Sequence, residues 1–271
     1  MGTPLRQKIH LLVIDPQIDF CDQNGALYVA GADEDIARLT NMVNSHINDF
    51  EDIHATMDSH HEFDVAHPIA WLDANGTKHP DPFTCITKKD VQDGVWKSTH
   101  PGIQSRWLDY VTKLEANGRY PLVIWPPHCL IGHQGHTVVP SLWNAFHEWE
   151  KQTIAIVDFV TKGSNPYTEH YSAVMADVPD DNDPTTQLNT RLIQTLQDAD
   201  VILLAGEALS HCVANTVTDI ANNFGESNIR KLVLLRDACS SVGGFEQMGE
   251  DFITRMSSRG MQVSTTVDFW A

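Results

Sequence analysis

The residues best suited to chemistry are a cysteine, an aspartate and a lysine, each at the end of an apolar run. Cys212 follows the run Val201–Ala205 and begins an amphipathic segment. This position predicts a thiol at a helix N-terminus, where unpaired backbone N–H groups and the helix dipole favour the thiolate. Asp15 and Lys162 close two other apolar runs, where a charge is costly unless it is paired or functional. An acid, an amine and a thiol at one sheet edge indicate a cysteine hydrolase.

Each of these three residues has a structural alternative when it is taken singly. Asp15 and Lys162 could form an ion pair that joins two loops, and Cys212 could be a small buried apolar side chain. Their placement together, at three strand ends, favours the catalytic interpretation.

A second set of residues could hold a metal ion. Asp58 and His60 are two residues apart at the end of a predicted strand, so their side chains can point the same way. His128 follows another apolar run, and His67 is a fourth candidate ligand. Carboxylate and imidazole ligands suit one divalent ion, with Zn²⁺ favoured and Fe²⁺ or Mn²⁺ left open. The spacing is not by itself a metal signature.

Five further histidines are interpreted as structural or surface residues. His54 lies within a predicted strand and is interpreted as structural. We expect four others to be ordinary surface residues: His79, His100, His147 and His170.

Three aromatic residues lie near the predicted strand ends, namely Phe20, Trp125 and Tyr171. Core packing is the common role of such side chains. The alternative is that they enclose a flat substrate ring, for which Trp125 is the best candidate because it lies three residues before His128.

Alternating apolar runs and amphipathic segments predict an α/β fold. Strands that are apolar on both faces and alternate with helices form a parallel sheet covered on two sides, a Rossmann-like three-layer α/β/α arrangement. We expect a mostly parallel, six-stranded sheet. Its predicted strands are His10–Ile14, Asp52–Thr56, Pro121–Trp125, Ile154–Val160, Val201–Ala205 and Leu232–Leu235, with Met261–Val267 as a candidate seventh.

Two long segments interrupt this alternation, at about residues 61–118 and 163–186. Loops of this length usually serve function or are disordered. Each segment begins directly after a predicted strand whose end carries candidate catalytic or metal-binding residues. We interpret them as insertions that wall the site, within one domain that spans residues 1–271.

Composition excludes several classes of protein. The chain has 18 Lys and Arg against 36 Asp and Glu, a formal net charge of −18 that argues against nucleic-acid binding. No apolar stretch reaches the roughly 20 residues of a membrane span, and residues 1–8 lack the apolar core of a signal peptide. Five widely spaced cysteines without a CxxC pair indicate neither disulfides nor a thiolate zinc site. We expect a cytoplasmic protein with a small-molecule substrate; its oligomeric state is open, a homo-oligomer included.

Taken together, the motifs resemble those of the isochorismatase-like cysteine hydrolases, and within them the nicotinamidases. The matching segments are Val13-Ile-Asp15-Pro-Gln-Ile-Asp-Phe20, Asp58-Ser-His60, Trp125-Pro-Pro-His128-Cys129, Thr161-Lys162-Gly163 and Gly206-Glu-Ala-Leu-Ser-His-Cys212-Val213. The resemblance implies an Asp–Lys–Cys triad and a bound metal. It places Phe20 and Trp125 against the substrate ring, with Tyr171 as a looser match and His211 in the same pocket.

The activity that this resemblance implies is hydrolysis of nicotinamide to nicotinate and ammonia through a thioester. The backbone N–H groups of Ala208 and Cys212 would hold the oxyanion, next to a cis Glu207–Ala208 peptide. Leu209 and Ser210 stand where nicotinamidases usually have Thr-Asp, which bears on the substrate more than on the reaction.

Alternative functions stay open. One is a related hydrolase acting on another small amide, a carbamoyl compound or a ureide. The others are a non-catalytic scaffold of the same fold and a metal-storage or metal-sensing protein, neither of which would need the complete triad.

Overall fold

A six-stranded sheet forms the centre of the protein, in a computed structural model that describes residues 7–271. The first six residues of the N-terminal segment, used above to argue against a signal peptide, lie outside the described residues. The strands are β1 Ile9–Ile14, β2 Phe50–Asp58, β3 Trp71–Asp73, β4 Cys85–Ile86, β5 Trp96–Ser98, β6 Leu122–Val123, β7 Asp158–Lys162, β8 Val201–Gly206, β9 Leu232–Leu235 and β10 Gln262–Ser264. The helices are α1 Ile18–Cys21, α2 Ala32–Ser45, α3 Lys88–Gln92, α4 Gln104–Ala116, α5 Pro140–Thr153, α6 Thr190–Gln197, α7 Ala214–Phe224 and α8 Glu246–Ser258.

The strands of the main sheet follow the order β10-β9-β8-β1-β2-β7, and every pair is parallel. All six residues of β1 are buried, as the apolar run His10–Ile14 predicts for a central strand. The predicted three-layer α/β fold is confirmed, with a sheet that is wholly rather than mostly parallel. The carboxyl ends of β1, β2, β7 and β8 therefore meet at one edge.

One predicted strand of this sheet is wrong. The run Pro121–Trp125 contributes only the two residues of β6, which pair antiparallel with β4 in a small separate sheet. Ile124 exchanges hydrogen bonds with Phe83 and Thr84, so the run's backbone is satisfied there and not by the main sheet. The sixth strand is instead β10, inside the candidate seventh run Met261–Val267.

The boundaries of β7 also differ from prediction. The apolar run Ile154–Val160 predicts a strand from its first residue, but α5 continues through Thr153 and Ile154 is its left-handed C-cap. The strand consequently begins at Asp158 and ends at Lys162, which places the lysine within it rather than after it.

The two long segments contact each other beyond the strand ends. The first contains β3, β4, β5, α3 and α4 and is therefore not a bare loop. Val65 N–H donates to the Pro166 carbonyl at 2.9 Å, and Glu169 N–H donates to the Tyr110 hydroxyl at 3.1 Å. Within residues 7–271, no helix is both long and apolar enough to cross a membrane.

Candidate active site

Three predicted residues meet at the carboxyl edge of the sheet. Lys162 Nζ lies 2.9 Å from Asp15 Oδ2 and 3.6 Å from Cys212 Sγ. It also lies 3.1 Å from Asp58 Oδ1. One ligand atom each of Asp15, Asp58 and Cys212 lies within 4.8 Å of the others. The structure thus joins the proposed triad to the proposed metal ligands through one lysine.

Strand pairing accounts for this convergence. Ile14 is in register with Gly206 on β8, and Asp58 is directly opposite Lys162 on β7. Gly206 has φ +110°, and a Cβ there would meet the Ile14 carbonyl oxygen at 2.0 Å. Only glycine therefore allows the chain to turn beside β1 towards Cys212.

Burial and charge set the proton affinities of the triad. Burial raises the pKa of the Cys212 thiol well above its usual value, although Lys162 acts to lower it. Burial also raises the pKa of Asp15, again against Lys162. For Lys162, burial acts to lower the pKa, but Asp15 and Asp58 outweigh it and hold the pKa well above its usual value. These directions favour a thiol beside a charged lysine, whereas the helix N-terminus favours the thiolate.

The local fold explains why Cys212 does not sit on a simple helix start. Residues Leu209–Val213 form one wide π turn before α7. The N–H groups of His211 and Val213 both donate to the Ala208 carbonyl, at 3.0 and 3.1 Å. This turn, with Cys212 6% exposed, fixes the thiol at the sheet edge.

Thr56 holds the carboxylate of Asp15, a contact that the sequence reasoning missed. The Thr56 hydroxyl donates to Asp15 Oδ1 and accepts from Asp15 N–H at 3.0 Å. Hydrogen bonds to an ionised carboxylate favour the ionised form. Asp15 has φ +46°, so these bonds restrain a residue with an unusual backbone conformation.

Asp58, His60 and His128 form a compact set of metal-ligand atoms, with His67 beside them. His60 Nε2 lies 3.0 Å and His128 Nε2 lies 3.4 Å from Asp58 Oδ2. The His67 ring lies 5.3 Å from the His60 ring and 5.7 Å from the His128 ring. Its Nε2 is buried without a hydrogen-bond partner among the described residues. An unsatisfied buried nitrogen beside these groups fits a fourth ligand.

The outer ring nitrogens orient the same histidines. Nδ1 of His60 lies 3.1 Å from Asp64 Oδ2. Nδ1 of His67 and His128 lie 3.1 and 2.9 Å from the carbonyl oxygens of Glu62 and Pro126. Each imidazole can therefore donate through Nδ1 and present the lone pair of Nε2, the usual arrangement of metal-ligating histidine. The donor set fits a divalent ion.

Comparisons with known proteins identify the fold that carries this geometry. No protein-family model matches the chain, and no curated protein matches its sequence significantly. Among solved structures, the Acinetobacter baumanii nicotinamidase and pyrazinamidase superposes with a TM-score of 0.65 at 21% identity, over 97% of this chain and 98% of that one. The chain has the nicotinamidase fold.

Two further structures with the nicotinamidase fold are similar over nearly the whole chain. The yeast nicotinamidase Pnc1p bound to the inhibitor nicotinaldehyde gives a TM-score of 0.65 at 17% identity, over 95% of this chain and 99% of that one. The Pyrococcus horikoshii pyrazinamidase in complex with zinc gives 0.56 at 19% identity, over 95% and 99%. The fold that the sequence resemblance implied is confirmed.

On this nicotinamidase fold, the predicted aromatic residues lie beside two histidines of the site, His128 and His211. The Phe20 ring is 5.3 Å from the ring of the candidate ligand His128. The rings of Trp125 and Tyr171 each lie 5.3 Å from His211, which precedes Cys212. Trp125 Nε1 donates to the Tyr171 hydroxyl at 2.8 Å, which fixes both rings.

Sequence reasoning missed other supporting residues. The Gln17 side chain donates to the Asp58 carbonyl and accepts from Asp58 N–H, both at 2.7 Å. His170, expected at the surface, is buried and accepts from Gly163 N–H at 3.2 Å. The position of Gln17 within the motif around Asp15 could have indicated its supporting role. Nothing in the sequence around His170 indicated that it is buried. The Glu207–Ala208 peptide is cis, as the resemblance implied.

Proposed function

We propose that the protein is a metal-dependent cysteine amidohydrolase that converts nicotinamide to nicotinate and ammonia. The observation that carries the proposal is the single buried cluster in which Lys162 contacts Asp15, Asp58 and Cys212. A structural ion pair alone would require neither the thiol nor the adjoining histidines.

The proposed reaction begins with proton transfer from Cys212 to Asp15. A carboxylate whose pKa is raised by burial accepts that proton more readily than an exposed one. Sγ then attacks the carboxamide carbon, and the carbonyl electrons move to oxygen. The N–H groups of Ala208 and Cys212 receive this oxyanion, at roughly 3–4 kcal/mol of stabilisation per donor.

The second half of the reaction returns the proton. Collapse of the tetrahedral intermediate breaks the C–N bond, and Asp15 gives its proton to the departing ammonia. Asp15 then accepts a proton from water as the hydroxyl attacks the thioester. Collapse of this second intermediate breaks the C–S bond, Asp15 returns the proton to Sγ, and the product acid ionises to nicotinate. Lys162 remains charged throughout, because both carboxylates hold its pKa well above the usual value.

The metal ligands in this proposal are Asp58, His60, His128 and His67. When bound, a divalent ion would supply a Lewis acid that holds the pyridine nitrogen or polarises a water. Zinc is the proposed ion, since one carboxylate and three imidazoles suit it and the Pyrococcus horikoshii structure is a zinc complex.

The choice of substrate rests on the aromatic rings beside His211 and His128. Trp125 and Tyr171 lie beside His211, while Phe20 lies beside His128. A flat heteroaromatic amide would extend from the thiol to the metal ligands between these walls. Similar structures contain nicotinaldehyde in the yeast protein and nicotinate in the L. infantum protein.

A second candidate is hydrolysis of another small amide, a carbamoyl compound or a ureide by the same thiol. The contacts of Ser210 favour this second candidate. The Ser210 hydroxyl lies 2.9 Å from His211 Nδ1 and accepts a hydrogen bond from Val242 N–H at 3.1 Å. Ser210 stands where the resembling enzymes usually have aspartate, so the wall formed by His211 is held differently in this chain.

Ammonia release from nicotinamide tests the proposal. We expect turnover in the zinc-loaded protein, none in Cys212→Ala, and full turnover in Cys85→Ala, which removes an exposed thiol. A thioester adduct on Cys212, detected by mass spectrometry after acid quench, would confirm the nucleophile. Retained turnover in Cys212→Ala would refute the mechanism. Turnover of other amides in place of nicotinamide would select the second candidate.

A further inference from the structure

A second cluster of histidine and aspartate lies on the same three strands, towards their amino ends. Asp52 and His54 on β2 repeat the Asp-x-His pattern of Asp58 and His60. His10 on β1 is directly opposite Asp52, and Asp158 on β7 is directly opposite His54. Alternate residues of a strand share a face, so the four side chains form one row across three strands.

The contacts within this row run in sequence from one carboxylate to the other. His54 Nδ1 lies 3.2 Å from Asp158 Oδ2, and His54 Nε2 lies 3.2 Å from His10 Nδ1. His10 Nε2 then lies 3.7 Å from Asp52 Oδ2. Both imidazoles are buried, at 2% and 1% exposure, while the Asp52 side chain is 45% exposed.

His10, Asp52 and His54 together offer the ligand atoms of one metal ion. One ligand atom of each lies within 4.8 Å of the others. His54 Nε2 and His10 Nδ1 face each other, and in neutral imidazoles one of these nitrogens donates to the other. Asp52 Oδ2 lies beyond hydrogen-bond distance of His10 Nε2, at 3.7 Å. A metal ion would replace the single bond between the imidazoles by three ligand bonds.

The dimensions of the row match a metal ion. Two nitrogens bound to one tetrahedral zinc at about 2.05 Å lie about 3.3 Å apart, close to the separation of 3.2 Å between His54 and His10. Their ring centroids are 5.3 Å apart, within the range of 4.7 to 5.7 Å spanned by the histidines of the first cluster.

The surroundings of His54 also suit a metal ligand. His54 Nδ1 contacts Asp158 Oδ2, and Arg191 Nη2 lies 3.3 Å from Asp158 Oδ1. A carboxylate behind an imidazole is the usual outer partner of a metal-ligating histidine.

We propose that His10, His54 and Asp52 form a second divalent-metal site at the amino end of the sheet, with water completing the coordination from the exposed Asp52 side. The ligands are two imidazoles and one carboxylate, which suit Zn²⁺ or Co²⁺. The site is separate from the proposed catalytic centre and stands without that proposal. It also revises the interpretation of His54 as purely structural.

Zinc titration of the full chain tests this site without any substrate. We expect two zinc ions per chain in the unmodified protein, by calorimetry and by elemental analysis after gel filtration. Asp52→Asn should weaken one site by about 10- to 100-fold and leave the other unchanged. His54→Gln should abolish that same site. The ammonia-release activity of Asp52→Asn should equal that of the unmodified protein.

Glu51→Gln is the matched control, because it removes the same charge from the adjacent, exposed residue, which is not one of the three proposed ligands. It should retain two zinc ions. A zinc stoichiometry that is the same in the unmodified protein and in His54→Gln would overturn the proposal, and so would an unchanged affinity in Asp52→Asn. Because Asp52 is partly exposed, its variant keeps the buried core, and circular dichroism would verify that it folds.

Discussion

Replacing Thr56 by valine tests the proposed role of Asp15 as the base. The Thr56 hydroxyl makes two bonds to Asp15, one to its carboxylate and one to its backbone N–H. Valine has nearly the same volume but lacks the hydroxyl, so the substitution removes both bonds with little change in packing.

The two lost bonds have different consequences. Leaving the buried Asp15 N–H unpaired lowers the free energy of unfolding by about 1–3 kcal/mol. A bond to an ionised carboxylate contributes about 1.5–3 kcal/mol, and its loss disfavours the ionised form of Asp15. The pKa of Asp15, already raised by burial, rises further. The acid limb of kcat/KM then moves to higher pH, with a loss of about 10- to 100-fold below the limb and little loss above it.

The assay is the pH profile of kcat/KM for ammonia release, together with thermal unfolding. Thr56→Ser is the matched control, since it retains the hydroxyl and should keep the limb in place. Thr56→Val should lower the melting temperature by several degrees, about 2–4 °C per kcal/mol. An acid limb in the same position for the valine and serine variants would refute Asp15 as the base.

Three further predictions concern neighbouring residues. Asp64→Asn removes the carboxylate behind His60 and should weaken zinc binding about 10- to 100-fold by calorimetry, with equal affinity contradicting that role. Tyr171→Phe leaves Trp125 Nε1 without its acceptor and should raise KM more than it lowers kcat; a change in kcat alone would place the pair outside the substrate wall. Burial raises the pKa of Glu169 to about 8, whereas unfolding restores its ordinary value, so the unfolding free energy should fall as pH rises between those two values. Urea unfolding at about pH 5 and about pH 8 should show a smaller fall for Glu169→Gln, and equal falls would contradict this carboxyl's burial.

Much of the fold could be predicted because central parallel strands are apolar on both faces. The runs that became β1, β8 and β9 are such strands, and their positions agree within a residue or two. Edge strands carry less signal: β10 is partly exposed, whereas the more apolar run around β6 is buried and pairs with β4 of the first long segment. Apolar character reports burial, and it does not report which sheet a strand joins.

The candidate site was predictable where a functional residue ends a strand. Asp15 directly follows β1, Lys162 ends β7, and Cys212 lies in the turn after β8, so their convergence follows from parallel pairing. Thr56 gave no signal because a threonine within a strand is ordinary. The raised pKa of Cys212 could not be predicted from the sequence either, because it depends on burial by segments that are distant in the chain.

The position of β8 in the sheet has a consequence for synthesis of the protein. β8 lies between β1 and β9, and Ile9 pairs with Val201. During synthesis on the ribosome, β1 and β2 emerge long before β8. The edge of β1 that pairs with β8 therefore stays unpaired for most of translation. Exposed strand edges of this kind promote association between chains. Pairing of β8 closes that edge and delivers Cys212 to Asp15 in one event, so recovery of activity on refolding would report closure of the sheet.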